Sequence, residues 1–182
     1  MTNNGFPASP MSSPDATSVS GDEFRAALSQ FATGVAVVTL RDDLDDLATT
    51  ATSLVAVSID PPLISVSTDN GSYFSEALER SESWAVTVLS AGQRRLAGRF
   101  AAAGRPSARL LLADEAHHRG PHSGALVIEG GLAAWECRTV GRVPAGDHHI
   151  VIAEVVAVDY VNPESGPLLR WHRSYRELRG PS

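Results

Sequence analysis

At 182 residues, with 43% apolar and 20% charged residues, the chain has the size and composition of one globular domain with a sizeable core. The net charge is −6 and all 15 basic residues are Arg, with no dense basic tract, which excludes an ordinary nucleic-acid-binding face. The single cysteine, Cys137, excludes an intramolecular disulfide and a Cys-rich zinc site, and no apolar run approaches the ~20 residues that span a membrane. The N-terminus has no basic region followed by an apolar one, so the expected compartment is the cytoplasm.

In chain order, residues 1–20 are rich in Ser, Pro, Thr and Asn and read as a disordered tail; residues 21–182 read as one domain. "SGDEFRAALSQF" carries a capping box, Ser20 with Glu23, and Phe24, Ala27, Leu28 and Phe31 recur at helical spacing, with Gly34 ending the helix. "GVAVVTL" (34–40) reads as a buried strand and "RDDLDDL" as an acidic, solvated turn. A second strand is expected over 48–59, broken by Pro61 and Pro62, and a third over 63–69. A short helix over 70–81 has Ser72 as N-cap; a strand over 84–90 and a helix over 91–104 ended by Gly104 follow. Residues 105–123 read as a long surface loop. Residues 125–143 read as a strand, a tight Gly130-Gly131 turn or bulge and another strand, 148–161 as the longest apolar alternation, and "PLLRWHRSY" as a closing strand. The sum is six or seven strands and three helices. Hairpin-type connections predict a mainly β fold with peripheral helices, an antiparallel sheet closed into a barrel.

The chemical candidates each have a plain structural reading. Thr49, Thr50, Thr52 and Ser53 suit a strand, and also suit a ligand rich in acceptor atoms; strand alternation puts Thr50 and Thr52 on one face and Thr49 and Ser53 on the other, so a one-sided site needs the strand to end or bulge there. Ser72 is a helix cap, yet a helix start also attracts anions, to which Arg99 can add positive charge. "AGDHHI" (145–150) is the densest polar cluster: Gly146 permits a tight turn and Asp147 can brace an imidazole, but His148 and His149 face opposite ways and no third metal ligand is evident. No metal is therefore expected. Cys137, mid-strand, reads as a small core hydrophobe. No nucleophile elbow and no Gly-rich dinucleotide fingerprint are present, so hard chemistry has to come from a bound cofactor held in some other way.

The order and spacing of "FRAALSQFATGVAVVTL", "TTATSLVAVSIDPPLISVS", "WAVTVLSAGQRRLAGRFA", "EGGLAAWECRTVGRVPAGDHHIVIAEV" and "PLLRWHRSY" resembles the flavin reductase family, the small reductase partners of two-component flavin-dependent monooxygenases. The likeness covers about residues 22–178. It implies an FMN-binding split β-barrel, a homodimer with two sites near its interface, and hydride transfer from NAD(P)H to FMN or FAD, after which reduced flavin diffuses to a partner oxygenase. Residue by residue, it implies flavin contacts at Ala48, Thr49, Thr50, Ala51, Thr52 and Ser53, at Ser67, Thr68 and Asp69, at Ser72 and Tyr73 for the phosphate, and at Arg99 and Phe100. It implies nicotinamide contacts at Gly146, Asp147, His148, His149 and Tyr175, with His148 orienting the nicotinamide or supplying a proton. NADH is expected over NADPH, since no Arg cluster for a 2′-phosphate is visible in the sequence. An Arg-only, Ala-rich composition suggests a high-GC genome and a secondary-metabolite (antibiotic) pathway. The alternatives are a non-catalytic flavin-binding split barrel and a pyridoxamine-phosphate-oxidase-like enzyme.

Overall fold

A run that is apolar on both faces needs cover on both sides, and the strand after the first helix is such a run. The computed structural model describes residues 19–43 and 45–178, so the expected tail lies almost wholly outside the described residues. Strand β2 (Ala36–Asp42) follows helix α1 (Gly21–Leu28) and a two-residue strand β1 (Thr33–Gly34). Ala36, Val38 and Leu40 point into one core, while Val35 and Val37 point into another. That two-sided burial explains the unbroken apolar sequence.

Strands β3 (Asp45–Ala51), β4 (Val55–Ser58), β5 (Leu63–Asp69), β6 (Ser83–Val88), β9 (Ala133–Ala145) and β10 (His148–Val161) join β2 in a seven-stranded antiparallel sheet of order β3-β2-β6-β9-β10-β5-β4. Helix α2 (Tyr73–Arg80) follows β5; α3 (Arg94–Ala101), α4 (Ala108–Leu111), β7 (His117–Arg119) and β8 (Leu126–Ile128) lie between β6 and β9; β11 (Leu168–Trp171) and β12 (Ser174–Glu177) end the chain. The two edge strands of the large sheet, β3 and β4, are consecutive in sequence, so the sheet curls until its edges are neighbours without being laddered together. The barrel interior packs Phe74, Ala77 and Leu78 of α2 against Trp84, Val86, Val151 and Val66. Outside, Leu96, Ala97 and Phe100 of α3 and Ala108 of α4 cover the far face of β2 and β3.

Several expectations need correcting. The strand expected over 48–59 is two strands, because the chain leaves the ladder at Thr52–Leu54 and turns from one sheet edge to the other. The tight turn at Gly130-Gly131 is present, with Gly130 at φ +75, but the strands it joins do not pair as a hairpin: β8 pairs with β7, and β9 pairs with β6 and β10. A Cβ on Gly131 would lie 2.6 Å from the Tyr160 hydroxyl and from Val88 O, so close approach, not hairpin geometry, explains that glycine. The 105–123 loop contains α4 and β7, and the closing strand is a hairpin turned by His172 and Arg173 at positive φ. Helix α1 stops at Leu28, held by its Ser29 cap, and buries none of its residues. Its apolar positions, Phe24 and Leu28, face outward, as does Phe31 beyond its end. The acidic turn is not wholly solvated, because Asp46 is buried. Twelve strands and four α-helices are present among the described residues, many too short for a periodicity signal.

Candidate active site

The strand break expected for a one-sided site is present. β3 ends at Ala51 and Thr52–Leu54 carry no strand pairing. Two grooves lie against the run from β3 to the start of β4. The first, about 490 Å³, is lined by Asp45, Leu47 and Ala48 at the start of the run, by Gly71–Phe74, and by Ala103–Ser107. The second, about 830 Å³, is lined by Thr52–Ala56 at its end, by residues 31–34 and Arg25 with Leu28 and Ser29, and by Arg170–Arg173.

The four hydroxyls of the run divide by role. Thr50 Oγ1 donates to Ala97 O at 2.7 Å, fastening β3 to α3. Ser53 Oγ donates to Ser67 O at 2.9 Å and accepts from Ser67 N at 3.1 Å, a side-chain rung across the split between the sheet edges. The Thr49 and Thr52 hydroxyls have no hydrogen-bond partner among the described residues; Thr52 is exposed on the second groove. Thr68 is buried, its hydroxyl 2.8 Å from Ser75 Oγ, and serves α2 packing. Asp69 accepts from Gly71 N, and its carbonyl accepts from Ser72 N and Ser72 Oγ. Ser72 Oγ in turn accepts from Ser75 N, so the expected N-cap is present. Tyr73 donates its hydroxyl to Asp42, which raises its pKa.

Arg99 and Phe100 do not line either groove. Arg99 Nη1 is committed to Leu111 O at 3.2 Å and Glu115 Oε1 at 3.1 Å, and Phe100 is fully buried under α3, because the pair lies on the helix face that packs outside the barrel. The cation that does line the first groove is Arg105, which sequence reasoning left in a featureless loop. Pro106 and Ser107 were missed for the same reason, and Asp45 because it falls in the acidic turn read as solvated. In the second groove the missed residues are Arg25, Phe31, Arg170, His172 and Arg173; only folding brings them together.

The β9–β10 turn sits beside these walls. Gly146 has φ +65, and Asp147 Oδ1 lies 2.7 Å from His148 Nδ1, a contact that lowers the Asp147 pKa. Asn70 N donates to Asp147 O, which ties this turn to the start of α2. Arg25, on the rim of the second groove, also acts on Asp147 electrostatically. His149 faces the other way, with Nδ1 2.7 Å from Glu79 Oε1 but out of hydrogen-bond alignment. Tyr175 lies half-buried against the outer core with Arg170 over its ring at 4.9 Å. Cys137 is buried, and burial pushes its thiol up to about 12, which suits a core residue. Among the described residues no group of three or more acidic, His or Cys side chains is arranged to hold a metal, and no helix is long and apolar enough to cross a membrane.

The family model for the flavin reductase like domain matches residues 28–179. The reductase component of 4-hydroxyphenylacetate 3-monooxygenase from Thermus thermophilus is 32% identical over 161 residues, 88% of this chain and 99% of that one. The NADH-dependent FMN reductase AsuE2 of Streptomyces nodosus subsp. asukaensis is 34% identical, covering 87% and 85% of the two chains. The structure of the Streptomyces globisporus NADH:FAD oxidoreductase SgcE6, in complex with NAD and FAD fragments, superposes with a TM-score of 0.80 at 28% identity, covering 87% of this chain and 92% of that one. With its antiparallel split barrel and its two grooves, the chain belongs to the flavin reductase like family.

Proposed function

We propose that this chain is an NADH-dependent flavin oxidoreductase that reduces FMN or FAD and releases the reduced flavin, by diffusion, to a separate flavin-dependent monooxygenase. The observation that carries the reading is a pair of grooves on the segment 45–56, one against β3 and one at the strand break that follows it. A flavin nucleotide has a flat, largely apolar ring and an anionic tail, and so needs adjoining sites of unlike character. The second groove, with Phe31, Leu54 and Trp171, suits the ring; the first, with Ser72, Tyr73 and Arg105, suits the tail.

When both nucleotides are bound, the chemistry supplied is hydride transfer from nicotinamide C4 to flavin N5. The chain's own residues contribute position and exclusion of water. Thr52 and the unladdered backbone of 52–54 offer hydrogen-bonding groups to the ring edge. Asp147 holds His148 Nδ1, and Nε2 of His148, which has no partner among the described residues, is left to orient the nicotinamide amide or carry a proton. Both grooves are open along one side, which fits a flavin that has to leave.

We also infer a homodimer. Val55 and Val57 on edge strand β4, Ile59 beyond it, and Val156 and Val158 on β10 are exposed apolar side chains. An exposed apolar edge invites pairing, and a second copy of the chain supplies a matching surface.

The reading is tested by following NADH consumption by the purified protein with FMN, with FAD and without flavin. Saturable turnover that requires flavin is expected. No turnover with either flavin and either pyridine nucleotide, in folded protein, would leave a flavin-binding split barrel without reductase activity. Light scattering coupled to size exclusion tests the dimer.

A further inference from the structure

We propose that Arg105 is the counter-charge for the flavin phosphate and sets a preference for FMN and FAD over unphosphorylated riboflavin; this rests on the flavin reductase reading of the same site. The other cations around the groove are engaged elsewhere. Arg99 is spent on Leu111 O and Glu115. Arg80 pairs with Asp42, and Arg109 and Arg119 pair with Asp46. Arg105 alone lines the first groove as a cation, and among the described residues no carboxylate pairs with it.

Arg105 itself is held by carbonyl groups. Its Nε donates to Ala48 O at 2.6 Å and its Nη1 to Ala102 O at 3.3 Å. Two carbonyls fix the guanidinium plane but supply no negative charge, and they use two of the five N–H donors that a guanidinium carries. Burial lowers the Arg105 pKa with no opposing charge to raise it. A half-buried cation without a counter-ion is costly by itself and becomes favourable when an anion arrives.

The segment that carries Arg105 is also preorganised. Arg105 stands between Gly104, at φ +64, and Pro106, whose ring fixes its own φ and restricts the residue before it. Ser107 Oγ then anchors the segment on Asp45 Oδ1 at 2.6 Å. The same oxygen of Asp45 accepts from Asp46 N, so that acid is engaged with its own wall. The Ser72 and Tyr73 side completes a groove in which, among the described residues, Arg105 is the one cation and is not ion-paired, while the Asp45 carboxylate, exposed at the groove's edge, is turned to Ser107 Oγ and Asp46 N. A phosphate is the part of a flavin nucleotide that supplies the matching negative charge.

The test is an equilibrium titration of the full chain with FMN and with riboflavin, read by flavin fluorescence, for wild type, Arg105→Ala and Arg105→Lys. The Ala variant is expected to weaken FMN binding by about ten- to a hundredfold, the range for a charge-assisted hydrogen bond, and to leave riboflavin binding within about twofold. The Lys variant should recover part of the loss. Riboflavin binding serves as the folding control in each sample. An equal loss for both flavins would mean that Arg105 only braces Ala48 and Ala102, and would overturn the proposal; unchanged FMN affinity, or a wild type that does not prefer FMN to riboflavin, would overturn it too. NADH turnover is measured on the same samples. A phosphate preference that depends on Arg105, without NADH turnover, would support the assignment of Arg105 while sinking the reductase reading.

Discussion

Arg119 and Asp46, 73 residues apart in sequence, meet in a two-pronged ion pair, with Nη1 2.9 Å from Oδ1 and Nη2 3.0 Å from Oδ2. Arg109 reaches the same carboxylate, Nε and Nη2 lying 2.9 and 2.8 Å from Oδ2. Asp46 is buried, and burial works to raise its pKa, but the two guanidinium groups outweigh that and hold it below the ordinary carboxylate value. The triad fastens α4 and β7 to β3, and so braces the loop that carries Arg105.

Replacing Asp46 should therefore cost stability. Asp46→Ala leaves two cations facing a buried hole, and loss of one partner of a buried pair costs about 3–5 kcal/mol. Both Arg side chains reach solvent, so roughly 2 kcal/mol is the expected loss here. That corresponds to a fall in Tm of about 4–8 °C for a chain of this size. The depressed carboxyl adds a sign: its contribution is present above the unfolded pKa and is lost as pH falls through the folded one. Wild type should lose more stability than Asp46→Asn as pH drops below about 4, and parallel Tm profiles would refute this.

His118 carries the opposite sign. Its Nε2 lies 3.1 Å from Asp159 Oδ1 and its Nδ1 3.3 Å from Glu129 Oε1, tying β7 to β10 and to the turn after β8. The Asp159 hydrogen bond, followed by that of Glu129, raises its pKa. Stabilisation is complete below the unfolded value of about 6.5 and disappears as pH rises through the higher folded value. The ring is partly exposed, so the effect is a fraction of a kcal/mol. Thermal melts across this window should show a decline with rising pH that His118→Gln lacks.

Legibility in the sequence followed the range of the interactions. The Ser20–Glu23 capping box, the Ser72 cap and β5 from Leu63 to Asp69 are set by neighbouring residues and were readable. The split at Thr52–Leu54 was recognisable only as a requirement, since what ends β3 is a change of sheet edge. Asp46 looked solvated because its partners lie far along the chain, and Arg105 looked featureless because its groove is assembled from three segments. Arg99 was named for its charge and for the Arg-Phe pair of the resemblance, and a sequence does not show that it meets Glu115.

Glu136 predicts a sharper loss. It is buried, and its Oε2 accepts from His122 N at 2.9 Å, Ser123 N at 2.6 Å and Ser123 Oγ at 2.7 Å. Glu136→Ala strands these donors, each at about 1–3 kcal/mol, and should lower Tm by roughly 8 °C or more. Glu136→Gln keeps an acceptor oxygen and should lose less. Gly120→Ala should match the Ala variant, because its Cβ would fall 2.3 Å from Glu136 Oε2 with backbone donors holding that carboxylate in place. A Gly120→Ala protein with the wild-type Tm would show that the carboxylate is free to move.

His148 separates binding of the two nucleotides. Its side chain is fixed by Asp147 on a turn whose Gly146 adopts a positive φ, and the same turn is joined to the α2 start through Asn70. If its free Nε2 orients the nicotinamide, His148→Ala should lower kcat/KM for NADH by about ten- to a hundredfold, in the lower part of the range for a positioned acid–base group. Flavin affinity should stay within about twofold, because neither groove includes His148 in its lining. Asp147→Asn keeps the turn but removes the charge that braces the ring, and should give a smaller loss in the same parameter. Steady-state kinetics with NADH varied at saturating flavin, then with flavin varied at saturating NADH, separate the two effects. A loss confined to the flavin KM would place His148 with the flavin instead, and unchanged kinetics in both directions would remove it from the site.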